Sequence, residues 1–308
     1  MIELKGLTKK FGNLTAVDDL SFRIERGDAF GFVGPNGAGK TTTIRMIATL
    51  LEPSGGTASV NGYDVLKDPE AVRGCVGYMP DFFGVYDDMK VWEYLDFFAA
   101  AYRVPARKRP GLIRDVLELT DLSEKREEYV EALSRGMKQR LCLAKTLVHD
   151  PEVLLLDEPA SGLDPRARIE IRELLQELVK MDKTILISSH ILPELSELCN
   201  KIGIIENGKL VLAGEVREIA AQLAGGLRLV IRTGNRRQEA CEFLAGRPEI
   251  ASAHLEEECI ECVYQGAEGE QHAVLTALVQ AGFQVQSFSE EAANLETLYM
   301  RITKGVGS

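Results

Sequence analysis

The stretch Gly34-Pro35-Asn36-Gly37-Ala38-Gly39-Lys40-Thr41 constrains this chain more than any other. Its spacing is G-x-x-x-x-G-K-[ST], the P-loop pattern. The run before it, Phe30-Gly31-Phe32-Val33, is apolar and reads as a short buried strand. In the run after it, Ile44, Ile47 and Ala48 share one helical face. A strand, a glycine-rich loop and a helix in that order make the pattern a phosphate cradle rather than a mere turn. The glycines let the backbone turn its N–H groups toward one point. The helix N-terminus behind them adds partial positive charge. Lys40 is expected to reach the β- and γ-phosphates of a nucleoside triphosphate, the Thr41 hydroxyl to hold Mg²⁺, and Thr42 to add a phosphate contact.

Which triphosphate chemistry the loop serves depends on the rest of the chain. At 308 residues there is room for one large or two medium domains. The formal net charge of −11 disfavours a general nucleic-acid surface, so no nucleic-acid partner is expected. No run approaches the ~18 apolar residues that cross a bilayer. The start, Met1-Ile2-Glu3-Leu4-Lys5, does not read as a signal peptide. A membrane role therefore has to come through a partner. The six cysteines are scattered, as reduced thiols in a cytoplasmic chain would be.

Residues 2–33 alternate in a β manner, most clearly over 16–24, with Phe11 in the turn before that strand. Pro53-Ser54-Gly55-Gly56 is a turn, 57–60 a short strand and Asn61-Gly62 another turn. Residues 91–150 are mostly helical. Val91, Tyr94, Leu95, Phe98 and Ala99 form one stripe, and Leu112, Val116, Leu117 and Leu119 a second. A third helix is expected over 134–148. Residues 153–156 and 184–187 are unbroken apolar runs, and between them Asp164-Pro165 starts a long helix. Ile169, Leu174, Leu175 and Leu178 are expected on that helix's buried face. Strands without alternation, separated by helices, imply a parallel sheet covered on both faces. Residues 203–213 read as a hairpin around Asn207-Gly208.

The composition shifts at Leu223-Ala224-Gly225-Gly226, which is the expected boundary between domains 1–224 and 225–308. Beyond it the order is strand 227–232, helix 238–244, strands 250–255 and 259–264, helix 272–281 and strand 283–288. That β-α-β-β-α-β order suggests a small split-βαβ domain. A closing helix is expected over 295–302, with Asn294 as its N-cap. Cys259-Ile260-Glu261-Cys262 has C-x-x-C spacing, but strand alternation sends the two sulfurs to opposite faces and no second pair exists. A metal or redox role is therefore not expected there.

Two further stretches carry chemistry. Val153-Leu154-Leu155-Leu156-Asp157-Glu158 is a buried strand ending in two acids, placed where open α/β sheets bind ligands. Asp157 is expected to hold Mg²⁺, directly or through water, and Glu158 to take the proton from an attacking water. Leu133-Ser134-Arg135-Gly136-Met137-Lys138-Gln139-Arg140 opens a helix whose N-terminus suits an anion. Here the chain resembles the ATP-binding cassette ATPases, whose signature is usually L-S-G-G-x-x-Q-R. Leu133, Ser134, Gly136, Gln139 and Arg140 match it, and Arg135 replaces the first glycine. A basic residue there marks exporters of the drug, polysaccharide and lipid type.

The resemblance covers about residues 2–220. It implies an α/β P-loop NTPase of ABC type, with a parallel sheet core, an antiparallel β subdomain and a helical subdomain, followed here by a small C-terminal α+β domain. It implies that Phe11 stacks on adenine, that Ser161-Gly162-Leu163-Asp164 is the D-loop, and that His190 is the switch histidine contacting the γ-phosphate. Asp81 falls where the family has the Q-loop glutamine, which binds Mg²⁺ and the attacking water. ATP and Mg²⁺ are the implied ligands. Two copies are expected to pack head to tail, with each ATP between the P-loop of one and Ser134-Arg135-Gly136 of the other. A separately encoded membrane permease would then be the partner, and the chain would sit on the cytoplasmic face of the cell membrane. Two alternatives stay open: a soluble ABC ATPase acting on nucleic acid or ribosomes, and an ATP-gated regulatory module.

Overall fold

The most apolar strands of the sequence lie side by side in a computed structural model. It describes residues 1–291 except 82, 83, 85, 87, 193, 194, 196, 217, 220–226, 257 and 268. The expected boundary stretch at 223–226 and the expected closing helix at 295–302 lie, wholly or in part, outside the described residues. The chain divides into two compact units, Met1–Ala213 and Gly214–Ser308, a division that falls before the 223–226 stretch.

The first unit begins with β1 (Ile2–Phe11), β2 (Leu14–Ile24), β3 (Ala29–Val33), α1 (Lys40–Ile47), β4 (Gly55–Val60) and β5 (Tyr63–Asp64). There follow α2 (Pro69–Cys75), β6 (Val76–Met79), α3 (Val91–Ala101), α4 (Arg109–Leu119), α5 (Arg135–Leu147) and β7 (Val153–Asp157). Then come α6 (Pro165–Lys180), β8 (Thr184–Ser189), β9 (Lys201–Glu206) and β10 (Lys209–Glu215). A six-stranded sheet runs in the order β10-β9-β3-β8-β7-β6. Pairs β9–β3, β3–β8, β8–β7 and β7–β6 are parallel. Every residue of β3, β7 and β8 is buried, which is why these strands carry unbroken apolar runs rather than alternating, with their polar residues confined to the strand ends.

A second, antiparallel sheet, β2-β1-β4-β5, packs with α1 and the central sheet in one core. Leu4, Leu7, Val17 and Leu20 meet Phe30, Phe32, Ile44 and Ile47 there, and Phe22 stacks flat on Phe30 at 5.1 Å. The helices start on side chains that satisfy their free amides. Ser134 Oγ accepts from Met137 N at 3.3 Å at the start of α5, and Asp164 Oδ1 accepts from Ala167 N at 3.0 Å at the start of α6. One expectation fails on α6: Ile169 is half-exposed, and Ile171 is buried with Leu174, Leu175 and Leu178. Positions 171, 174, 175 and 178 are spaced i, i+3, i+4 and i+7, and Ile169 lies two residues earlier, on the far side of the helix.

The second unit contains β11 (Leu227–Thr233), α7 (Arg237–Ala245), β12 (Ile250–Leu255), β13 (Ile260–Tyr264), α8 (His272–Gln280) and β14 (Val285–Glu291). Its antiparallel sheet has the order β12-β13-β11-β14. Leu229, Ile231, Leu244, Ile260, Cys262, Val274 and Leu278 form its core. Cys262 is buried in that core, whereas Cys259 precedes β13 and is half-buried. Among the described residues no helix is long and apolar enough to cross a membrane.

Candidate functional site

Parallel pairing sends the carboxyl ends of β3, β6, β7 and β8 to one edge of the central sheet. Val33 is level with Ser189, Asp157 with Ser188, and Met79 with Leu156. The loop at 34–39, Asp81, the acids 157–158 and His190 therefore all leave the sheet at that edge, where open α/β sheets bind their ligands.

The phosphate loop has little freedom. Gly39 has φ 108°, and a methyl carbon placed on it would lie 2.6 Å from the Ala16 carbonyl oxygen at the start of β2. Only glycine allows both that backbone and that approach. Gly34 is equally crowded, since a methyl carbon there would lie 2.9 Å from Ile205 Cγ2. The Asn207-Gly208 turn between β9 and β10 braces the loop: Gly208 N donates to Ala38 O at 3.0 Å, and Asp18 N donates to Gly208 O at 2.9 Å. Sequence reading recognised that hairpin but gave it no role. Pro35, Asn36 and Gly37 form the loop's outer part, and Gly37 has φ 82°. Thr42 follows in the first turn of α1, half-buried.

Lys40 is buried, and its ammonium folds back to donate to Gly34 O at 2.7 Å and Pro35 O at 3.2 Å. It also lies 3.4 Å from Glu158 Oε1. Asp157 is buried, and its Oδ1 accepts from Thr41 Oγ1 at 3.1 Å and from Ser188 Oγ at 2.6 Å. Its Oδ2 is buried without a hydrogen-bond partner. An open carboxylate oxygen beside a threonine hydroxyl is a donor set that fits a hard divalent cation. Glu158 has the left-handed φ of 50°, and its amide donates to Ser188 O at 3.2 Å and Ser188 Oγ at 3.0 Å. His190 Nδ1 lies 2.9 Å from Glu158 Oε2, so an Nδ1–H tautomer donates to that carboxylate.

Ser188 is thus the joint between the two acids. In the Ser188-Ser189-His190 run the sequence marks only the histidine; the signal for Ser188 is a pair of hydroxyls closing the apolar run Ile185–Ile187. Asp81 is exposed just beyond β6. Partial burial and the negative charges of Asp157 and Glu158 push its carboxyl above the ordinary value, and Arg135 and His190 pull it back. The expected adenine platform, Phe11, ends β1 with its ring half-exposed and Lys9 Nζ 5.2 Å from its centroid.

Ser134 and Arg135 are exposed and Gly136 half-buried at the head of α5. Among the described residues, 134–136 form no hydrogen bond or ion pair with the phosphate loop. Instead the start of α5 leans on the segment after Glu158: Gln139 Nε2 donates to Pro159 O at 2.6 Å, and Gly136 lies against Ala167. A cavity of about 500 Å³ opens beside this segment, lined by Glu158, Ser161, Gly162, Ile169, Ser189 and His190 among others.

Comparison with known proteins agrees with this geometry. Residues 17–161 match the ABC transporter family model. A Nod factor export ATP-binding protein I from Ralstonia nicotianae is 41% identical over 229 residues, covering 73% of this chain and 70% of that one. A daunorubicin resistance ATP-binding protein from Streptomyces coeruleorubidus is 30% identical over 305 residues, 98% of this chain and 95% of that one. A solved ATP-binding subunit of an ABC transporter superposes with a TM-score of 0.66 at 30% identity, covering 72% of this chain and 92% of that one. With a glycine loop and two acids at one sheet edge, and relatives that align over nearly its whole length, the chain belongs to the ABC transporter family, as an ATP-binding cassette that hydrolyses ATP.

Proposed function

We propose that two copies of this chain pack head to tail around ATP, and that hydrolysis there drives export through a separate membrane permease. The carrying observation is an incomplete site. Lys40, Thr41, Asp157, Glu158 and His190 meet at one sheet edge, and among the described residues the Ser134–Gly136 stretch, exposed at Ser134 and Arg135, makes no hydrogen bond or ion pair with the phosphate loop it is expected to complete. A second copy supplies that missing side. The relatives' names, a Nod factor export protein and a daunorubicin resistance protein, favour export. The chain would then sit at the cytoplasmic face of the membrane, held there by the permease. Residues 1–224 are assigned to the ATPase and 225–308 to an accessory domain.

In this reading Phe11 stacks on adenine, Gly34–Gly39 wrap the phosphates with their amides, and Thr42 adds a contact. Lys40 exchanges its two carbonyl acceptors and Glu158 for phosphate oxygens. Glu158, freed from Lys40, takes a proton from the attacking water at Oε1, and His190 holds its Oε2 in place. Mg²⁺, held by Thr41 and Asp157 with Asp81 nearby, would neutralise charge developing on the phosphates. Ser134, Arg135 and Gly136 of the second copy close the γ-phosphate side.

The test is Glu158→Gln. Its turnover should fall by about 10²–10⁴, and it should run as a dimer with ATP and as a monomer with ADP in size-exclusion chromatography. Normal turnover would reject Glu158 as the base. A monomer in both nucleotides would reject the ATP-bridged dimer.

A further inference from the structure

Arg135 stands where the family's signature has glycine, and although the residue is exposed its side chain reaches back onto its own chain. Its guanidinium lies on Gly162, in the turn that follows the two acids. A methyl carbon on Gly162 would overlap it, 2.6 Å from Cζ and 3.0 Å from Nη1. The N-terminal part of α5 touches this segment twice more. Gln139, buried, donates to Pro159 O at 2.6 Å, and a methyl carbon on Gly136 would lie 3.2 Å from Ala167 Cβ. Those two contacts fix the base of the segment and the start of α6. The turn between them is exposed at Gly162; among the described residues it is held by two main-chain bonds, Ser161 N to Glu158 O at 3.0 Å and Leu163 N to Ala160 O at 3.4 Å, and at its end by Arg168 Nε, which donates to Leu163 O at 3.1 Å. Arg135 also brings positive charge within electrostatic reach of Asp81.

We propose that Arg135 is a positioning residue: its guanidinium straps the Ser161–Gly162 turn to the head of α5 in the same chain, so that turn and signature stretch form one fixed surface before ATP arrives. With glycine at 135, that turn would lose its cover. Gly162 is required in turn, because any side chain there takes the guanidinium's place. The role of the surface, to meet the second copy, rests on the proposed head-to-tail dimer; the strap itself does not.

Hydrogen exchange on the full nucleotide-free chain tests the strap independently of any dimer. Arg135→Ala should speed exchange of the Ser161 and Leu163 amides by at least about threefold, an effect of the size of ordinary contact coupling, with the amides of α1 unchanged. Arg135→Lys should recover part of the protection. Gly162→Ala should eject the guanidinium, so adding Arg135→Ala to it should change nothing more at Leu163. If Arg135→Ala leaves exchange unchanged, or raises it equally with and without Gly162→Ala, the strap is wrong. In a Glu158→Gln background, Arg135→Ala should raise the ATP concentration for half-dimerisation by at least about threefold; an unchanged value would remove the positioning role. Failure of Glu158→Gln itself to dimerise would overturn the dimer and leave the exchange result standing.

Discussion

Ser188→Ala separates this geometry from a generic P-loop more cleanly than any change to a charged residue. Ser188 is fully buried, and its hydroxyl does two things at once. It donates to Asp157 Oδ1 at 2.6 Å and accepts from Glu158 N at 3.0 Å. Removing the first leaves a buried carboxylate with one donor, Thr41 Oγ1, and loses a charge-assisted bond worth about 1.5–3 kcal/mol. Removing the second costs less, because Glu158 N keeps the Ser188 carbonyl at 3.2 Å. The void is one hydroxyl and adds little. The expected destabilisation is therefore about 2–3 kcal/mol, read as a lower urea midpoint with an unchanged slope. The chemistry should suffer more. Glu158 holds a left-handed backbone partly through this hydroxyl, and a small displacement of a base costs on the order of 10–100-fold in kcat. Ser189→Ala is the control: its hydroxyl accepts from Ile191 N at 3.0 Å and, among the described residues, makes no hydrogen bond to either acid, so kcat should hardly move. If Ser188→Ala unfolds within about 0.5 kcal/mol of the parent and matches Ser189→Ala in kcat, the joint between the acids has no energetic weight.

Two other predictions need only standard assays. Phe11→Ala should raise KM for ATP about 5–100-fold through lost base stacking of ~1–3 kcal/mol, with kcat nearly unchanged and Phe11→Trp restoring affinity; unchanged KM would show that the adenine lies elsewhere. His149 stacks on Tyr102 at 3.6 Å with Nε2 3.0 Å from Val76 O, and burial pushes its pKa below 6.5 despite that hydrogen bond. The unfolded chain therefore takes up this proton first: the contribution is full above pH 6.5 and is lost as pH falls from there toward the folded value. Relative to His149→Phe, the parent should lose thermal stability as pH falls below 6.5; parallel curves would contradict the neutral, partly buried imidazole.

Much of this architecture was legible in the sequence because single segments carried it. The phosphate loop, the Asp157-Glu158 strand end and the Ser134 cap each sit within a dozen residues. The β11–β14 order was readable because its strands and helices differ in period. What was hidden depends on long-range approach. β6 went unread because Gly77 interrupts it, yet glycine is required there: a methyl carbon would lie 2.6 Å from Thr146 O on α5. The Asn207-Gly208 turn braces a loop far away in sequence, and no local pattern reports that. Ser188 looked like one serine of a pair, and only the register of β8 against β7 sets it beside Asp157. Ile169 was misplaced because an apolar residue near a helix start was counted into a face it does not share.

The left-handed backbone of Glu158 sets stability and chemistry against each other at one position. A glutamate at φ 50° is held in a conformation that glycine or asparagine adopts more easily, a difference of about 1 kcal/mol or more. Substituting Asn or Gly at 158 should relieve that strain but strip the buried Lys40 of its carboxylate neighbour, so the stability of the nucleotide-free fold sets one against the other, while turnover is expected to fall in either case. A library sorted for thermal resistance alone would weigh only strain against that ion pair and would not select for the proposed base. Only sorting for ATP turnover would hold it in place.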